Sequence, residues 1–471
     1  MHVPARIYAS DKLLQNIFKD KSLAQLINLT TLQGIVDYGI VMPDVHEGYG
    51  APIGGIFATD PSQNGIISPG AVGYDINCGV RLLISNFTFK DIKDYLDDFA
   101  NQLQIMIPSG LGKGGGQKLT PEELDGFLQS GAKEAVSQGY GESGDLENCE
   151  AGGRLEWANP KKVSSLAKKR GSDQLGTLGS GNHFLEVQKV EKIFNKKAAK
   201  AFGLFENQVV VMIHTGSRGL GHQIATDYIR IMIDVMPKYK IYLPDRELAC
   251  VPFESKEGQD YFVAMACGAN FAWANRQMIT HHVRTAWAEI FDLNKLDLLY
   301  DVAHNVAKLE DYSLQTTDNS KKNNAIDRSR LSVTKLIVHR KGATRAFPPN
   351  HPELPKKYRP TGQPVIIPGS MGTASYILHG VETGKERFYS AAHGAGRVMS
   401  RHQAVKSLRG KDIIKNMEER GIIVKTYSMR GVAEEAPQAY KNVDEVVETI
   451  HQSGLAKKVA RLVPLAVIKG E

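Results

Sequence analysis

Six histidines stand at the ends of strand-like runs or inside glycine-rich turns. They are His46 in PDVHEGYG, His183 in GSGNHFLE, His214 in IHTGSRGLGH, His304 in DVAHN, His339 in VHRKGATR and His393 in SAAHGAGR. Asp75 and Cys78 occupy the same kind of setting in GYDINCGVR. Loops at strand ends display binding groups, and a neighbouring glycine lets a ligand approach the backbone. A lone histidine in a turn is ordinarily structural; six in such similar settings point to a site. Asp75 and Cys78 are three residues apart, so one turn aims both side chains at one point. Adding His183, His214 and His304 gives one carboxylate, one thiolate and three imidazoles. Imidazole suits Zn, Mn, Fe or Ni, and a thiolate is able to bridge two ions. The set lacks the closely spaced Cys and His pairs of a structural zinc site. A two-metal centre of the kind used in phosphoryl transfer is therefore expected. Taken alone, Cys78 reads as a small buried hydrophobe.

His393 has a different context, with SAA before it, GAG after it, and Arg397 and Arg401 downstream. A nucleophilic histidine needs open access at one ring nitrogen and cations near the phosphate it attacks. If 396–406 begins a helix, Arg397 and Arg401 share a face and hold phosphates bidentately. The plainer alternative is a surface ion-pair face. GLGKGGGQ lacks the Ser/Thr and the glycine spacing of a Walker A loop, and the K-x-D-G segment of a lysine-nucleophile ligase does not occur. The turns GSGN (179–182), PGSMG (368–372) and HGAG (393–396) are candidates to offer backbone N–H groups to phosphate; otherwise they are ordinary tight turns.

These residues must be positioned by strands and helices. Residues 33–86 read as short strands and tight turns, 91–106 as a helix, and 208–214 and 333–339 as strands that end at histidines. Residues 221–236 and about 260–292 read as helices, the second long and mostly apolar. Residues 443–463 read as a C-terminal helix followed by a short apolar end. Surface excursions are expected at 108–153 and 312–330. No steady βαβ rhythm appears, which argues against a Rossmann sheet or a TIM barrel. The expected architecture is α+β: one large mixed domain over 1–471, with central β-sheets flanked by helices and glycine-rich loops around a dinuclear metal site.

The chain has 471 residues, 42% hydrophobic and 23% charged, ordinary for a globular protein and unlike a disordered or collagen-like one. No apolar run reaches the ~18 residues of a membrane span, and MHVPARIYASDKLL has no apolar core of a secretory signal. The four cysteines, Cys78, Cys149, Cys250 and Cys267, form no C-x-x-C pair, which suggests reduced thiols in a cytoplasm. The net charge of +7 permits contact with a polyanion without requiring it.

Seven segments, GYDINCGVR, LGTLGSGNHFLEVQ, HTGSRGLGHQ, DVAHN, HRKGATRAFP, PGSMGTASY and SAAHGAGRVMSR, together resemble the RtcB family of RNA ligases, in the same order and across nearly the whole chain. The resemblance implies two Mn²⁺ ions, one held by Asp75, Cys78 and His183, the other by Cys78, His214 and His304. It implies that His393 is the residue guanylylated by GTP. It assigns to the GTP pocket Asn182, His183, Phe184, Leu185, Glu186, His304, Asn305, Pro368, Gly369, Ser370, Met371, Ser375, His393, Gly394, Ala395 and Gly396, with Lys469 reading the guanine. Arg218, Arg397 and Arg401 match arginines that meet RNA phosphates. His46, His339 and Lys341 receive no assigned role.

The implied reaction joins an RNA 2′,3′-cyclic phosphate or 3′-phosphate end to a 5′-hydroxyl end, in tRNA splicing or RNA repair. It proceeds through guanylylated His393 and a GMP-activated RNA 3′ end, with an archease-type activator as a possible partner. Two other readings remain at this point. One is a metal-dependent cyclic phosphodiesterase or phosphatase without nucleotidyl transfer; the other is a non-catalytic RNA-binding protein on the same fold.

Overall fold

Runs rich in Val, Ile and Leu form the strands that carry the site. The computed structural model describes residues 1–110, 118–291, 295–313 and 333–470. Among them lies an eight-stranded sheet in the order Pro364–Ile367, Ser375–Gly380, Ala456–Lys469, Phe184–Ile193, Gln208–Thr215, Gly79–Thr88 and Asp297–Ala303. Ile423–Thr426 adds to Ala456–Lys469 in parallel. The other pairings are antiparallel, and their register is what matters for chemistry. Lys469 faces Phe184, Phe184 faces His214, and Gly79 faces both Thr215 and Ala303. Cys78 and His304 adjoin Gly79 and Ala303, and His183 adjoins Phe184. One end of this sheet thus gathers Lys469, His183, His214, Cys78 and His304 in a row.

A five-stranded sheet has the order Ala5–Ile7, Ile35–His46, Ile53–Thr59, Val333–Lys341 and Asn305–Ser313. The chain crosses between the two sheets at the step from His304 to Asn305. Three backbone hydrogen bonds fix the crossing: His304 N–H to Cys78 O, 2.7 Å, Asn77 N–H to Asn305 O, 2.7 Å, and Ala343 N–H to His304 O, 3.1 Å. The short pair Ala343–Arg345 with Ser390–Ala392 delivers His393 to the same junction.

The helix Lys256–Phe291 supports the first sheet. It is buried around most of its circumference, as its small residues, such as Ala264, Ala266, Gly268, Ala269 and Ala272, allow. A helix buried on all sides belongs in a core, and its buried polar residues Asn270, Asn275, Arg276 and Gln277 are hydrogen-bonded there. The helix Arg218–Val235 packs beside it and starts at the site.

Two sequence expectations are corrected here, and a third lies outside the described residues. The C-terminal helix ends at Gln452, and residues 456–469 form a central strand. Gly454, at φ +69°, breaks the helix, and Pro464 sits at a register irregularity, where a strand tolerates it. Residues 121–147 are not a surface excursion. Their helices bury Leu124, Phe127, Leu128, Ala132 and Ala135 and contact the long helix. Of the segment expected as a loop at 312–330, only Tyr312 and Ser313 are described, and they end a strand.

Candidate metal centre and nucleotide cavity

The sheet junction opens into a cavity of about 1090 Å³. Two candidate ligand sets share one sulfur: Asp75, Cys78 and His183, and Cys78, His214 and His304, each with its ligand atoms within 4.8 Å of one another. Cys78 Sγ lies 3.3 Å from His214 Nε2 and 3.6 Å from His183 Nε2. Asp75 Oδ2 lies 2.8 Å from His183 Nε2. Its Oδ1 accepts the Ser217 N–H at 2.9 Å. Gly216 is required beside it, because a Cβ there would collide with the Asp75 carboxylate.

Burial pushes the Cys78 thiol up, and Asp75 adds to the rise. Burial likewise drives His214 and His304 well below the ordinary imidazole range. Asp75 is held well below the usual carboxylate range by His183 despite its burial. Neither ring nitrogen of His304 has a hydrogen-bond partner, and the Nδ1 atoms of His183 and His214 lack one too. Buried imidazoles with unpartnered ring nitrogens around a thiol and a carboxylate are a poor core but a good cation site. The donor set fits two divalent ions bridged by the sulfur.

His393 stands next to this centre, its ring centroid 5.3 Å from that of His304. Its Nδ1 lies 2.6 Å from Asp44 Oδ2, and the same oxygen accepts the His393 and Gly394 N–H groups. Asp44 is fully buried; His393 and Lys441 draw its pKa down against the effect of burial. Sequence reasoning missed Asp44, although it stands two residues before His46 in PDVHEGYG. The HGAG turn therefore spends its first two N–H groups on Asp44 rather than on a phosphate. PGSMG does the same internally: Gly369 N–H donates to Ser375 Oγ and Ser370 N–H to Thr373 Oγ1.

Of the residues expected around a nucleotide, Asn182, His183, Phe184, His304, Asn305, Pro368 to Met371, His393 to Gly396 and Lys469 line the cavity. Leu185, Glu186 and Ser375 do not. Leu185 points into the core, and Glu186 and Ser375 stand behind the wall, linked through Gln188. Alternation along the strand that begins at Phe184 turns Leu185 to the opposite face, while Glu186, on the Phe184 face, lies further along the strand from its cavity end. The Lys469 ammonium donates to the carbonyls of Gly181 and His183, and burial lowers it to about 8. The Asn305 side chain ties the Asp75 carbonyl to the Gly342 N–H.

Arg218, Arg397 and Arg401 all line the cavity. Arg218 is buried at φ +55°, a strained conformation of the kind found at functional sites. Its guanidinium donates to Thr177 Oγ1 and Gly110 O, and among the described residues no carboxylate pairs with it. Arg397 and Arg401 do not share a helical face. Ser400 caps a helix that begins only at Arg401, and Arg397 precedes it in extended backbone bridged to Tyr440. The two still converge, on buried Glu435, at 3.1 and 3.5 Å.

His46 lines the cavity, its Nδ1 3.1 Å from the Asp44 carbonyl, and burial lowers it to about 4. Lys341 also lines it and donates to the carbonyls of Tyr49, Ala51 and Gly70. His339 does not; it stacks on Phe57 at 4.4 Å and accepts from the Ser68 N–H.

Behind the ligands stands Arg276, which sequence reasoning also missed. It donates to Asn77 O and Thr215 O at 2.9 Å each and makes a bidentate pair with Asp301. It sits mid-helix in Lys256–Phe291 with no local motif to announce it.

A family model described as tRNA-splicing ligase RtcB matches residues 25–470. A protein of Thermococcus kodakarensis named tRNA-splicing ligase RtcB is 53% identical, covering 100% of this chain and 95% of its own length. An Aeropyrum pernix protein of the same name is 52% identical, over 100% of this chain and 96% of its own. A Mycobacterium bovis protein named RNA-splicing ligase RtcB is 52% identical, over 95% of this chain and all of its own. Matched along nearly its whole length at about half identity, the chain belongs to the RtcB family of tRNA-splicing ligases.

Proposed function

We propose that the protein is an RNA ligase of tRNA splicing that uses GTP and two Mn²⁺ ions to join an RNA 3′-phosphate or 2′,3′-cyclic phosphate end to a 5′-hydroxyl. The observation that carries this reading is His393, held by Asp44 and set 5.3 Å, ring to ring, from His304. A plain phosphodiesterase needs the metal ligands but has no use for a buttressed histidine facing a cavity this large. Asp75, Cys78 and His183 would hold one ion, and Cys78, His214 and His304 the other. The ions would supply Lewis-acid polarisation of phosphate oxygens.

The chain's own residues account for the remaining work. The hydrogen bond to Asp44 keeps the His393 proton on Nδ1 and leaves the Nε2 lone pair free to attack. Nε2 forms a bond to the α-phosphorus of GTP, and the bond to the bridging oxygen of the β-phosphate breaks, releasing pyrophosphate. An oxygen of the RNA 3′-phosphate then takes the guanylyl group, breaking the N–P bond and returning the lone pair to His393. A cyclic phosphate is first opened by water to the 3′-phosphate. Finally the 5′-hydroxyl oxygen attacks the activated 3′-phosphorus, its proton is lost, and GMP leaves. Arg218, Arg397 and Arg401 neutralise the charge that grows on the phosphates, and Lys469 meets the guanine.

All four cysteines are unpaired and buried, in keeping with a cytoplasmic protein, and among the described residues no helix is long and apolar enough to cross a membrane. An archease-type activator belongs to the same reading. The test is covalent labelling with α-labelled GTP and Mn²⁺, followed by denaturation. Acid-labile label in the wild type, absent from His393→Ala with its metal content intact, is the expected result. No label on metal-loaded wild type, with or without an activator, would replace the ligase with the hydrolase.

A further inference from the structure

The cavity continues beyond the metal ligands into a side cleft of about 260 Å³ that it shares across two tyrosines, Tyr49 and Tyr74. Tyr74 immediately precedes the ligand Asp75. Its ring meets Tyr49 edge-on at 5.2 Å and stacks with His222 at 5.8 Å. Both tyrosines are half-buried, so part of each ring faces the opening. The opposite wall is the helix Arg218–Val235. Arg218, His222, Thr226 and Arg230 recur every four residues and so form one stripe along that helix. The stripe runs about 18 Å, at 1.5 Å per residue, from buried Arg218 beside the ligands to exposed Arg230 at the cleft. Ile229 and Ile233 give the cleft an apolar floor, and Asp234 stands at its rim.

Cations at both ends of a track, with aromatic rings between them, suit a single strand of nucleic acid. Aromatic faces stack bases without regard to sequence, while cations follow the backbone. A duplex does not expose its bases in this way, so the occupant is unpaired. We propose that this cleft holds the unpaired terminal nucleotides of one RNA substrate, with a base stacked on the Tyr74–Tyr49 platform and the backbone running from Arg218 towards Arg230. The inference rests on the ligase reading and deepens it. The platform would read the presence of a base, not its identity, which is what an enzyme that joins ends of varied sequence requires.

The experiment uses two RNAs, one with 2-aminopurine near a 3′-phosphate and one with it near a 5′-hydroxyl. Quenching on binding is measured for the wild type, Tyr74→Phe and Tyr74→Leu. Leucine preserves apolar packing but removes the stacking face. One of the two probes is expected to be quenched by the wild type and Tyr74→Phe, with Tyr74→Leu losing the quench and binding roughly ten-fold more weakly. An abasic nucleotide at the same position should weaken wild-type binding by a similar factor and leave Tyr74→Leu little changed. Quenching of both probes that is indifferent to Tyr74→Leu would overturn the subsite. Ligation of unlabelled strands by the wild type is followed in parallel. Its absence would sink the ligase reading, whereas ligation with Tyr74-independent quenching would sink only the cleft.

Discussion

The Oδ2 atom of Asp44 lies 2.6 Å from Nδ1 of His393 across 349 residues of sequence, and it also accepts the backbone N–H groups of His393 and Gly394. One buried oxygen thus fixes the ring's proton, its orientation and the turn that carries it. Asp44→Ala should leave the candidate metal ligands in place but slow guanylylation of His393 by up to about 10⁴-fold, the size of loss found when the carboxylate that orients a catalytic histidine is removed. The rate of label incorporation from GTP, with metal content measured alongside, checks this. A variant that labels at the wild-type rate would show that the carboxylate only packs.

Cys78 is the sole residue common to both ligand groups. Removing it should therefore disturb two sites, whereas removing His304 should disturb one. Cys78→Ala is expected to fall from two bound ions to well below one per chain under conditions where His304→Ala retains about one. Elemental analysis after equilibrium dialysis against Mn²⁺ makes the comparison. Equal losses in the two variants would contradict a bridging sulfur.

Much of this site was legible because glycine-rich turns and terminal histidines announce strand ends. Asp75, Cys78, His183, His214, His304 and His393 all reach one cavity. What the sequence concealed was reach across the fold. Asp44 acts on a residue 349 positions away, Arg276 acts from the middle of a helix, and Glu435 draws two arginines together from outside any motif. The strand 456–469 was hidden for another reason. Residues 464–469 are buried consecutively, on both faces of the sheet, so the strand lacks the simple alternation that marks a half-exposed one. Arg397 was misplaced because a four-residue spacing reads as helical unless the cap at Ser400 is seen.

Glu186 offers a pH test. It is buried with Oε1 unpartnered, and burial raises its pKa to about 8. A carboxyl whose folded pKa lies above its unfolded value keeps its proton in the folded state while the unfolded chain gives it up. Its contribution is fully present below about pH 4.5 and is lost as the pH rises towards 8. Glu186→Gln keeps the neutral shape without the titration. The variant should gain on the wild type as the pH climbs from 5 to 8, by ~2 kcal/mol or more. Denaturant unfolding at several pH values measures it, and parallel curves for the two proteins would refute it.

Arg276 links the backbones that carry three of the candidate ligands. Its guanidinium holds the carbonyls of Asn77 and Thr215, next to Cys78 and His214, while its pair with Asp301 anchors the strand that leads to His304. Arg81 shares Asp301 but touches neither strand-end carbonyl. Both arginines are fully buried, so either replacement should destabilise the fold by several kcal/mol, because it takes one of its two guanidinium partners from buried Asp301 and leaves buried acceptors unpaired. They should differ in metal binding. Removing groups that orient ligands typically costs about 10- to 100-fold in metal affinity. Arg276→Met should show that loss for Mn²⁺, and Arg81→Met much less, when both are titrated at a temperature where each remains folded. A common loss in the two variants would mean that Arg276 contributes stability alone and that the strand ends hold their ligands in place without it.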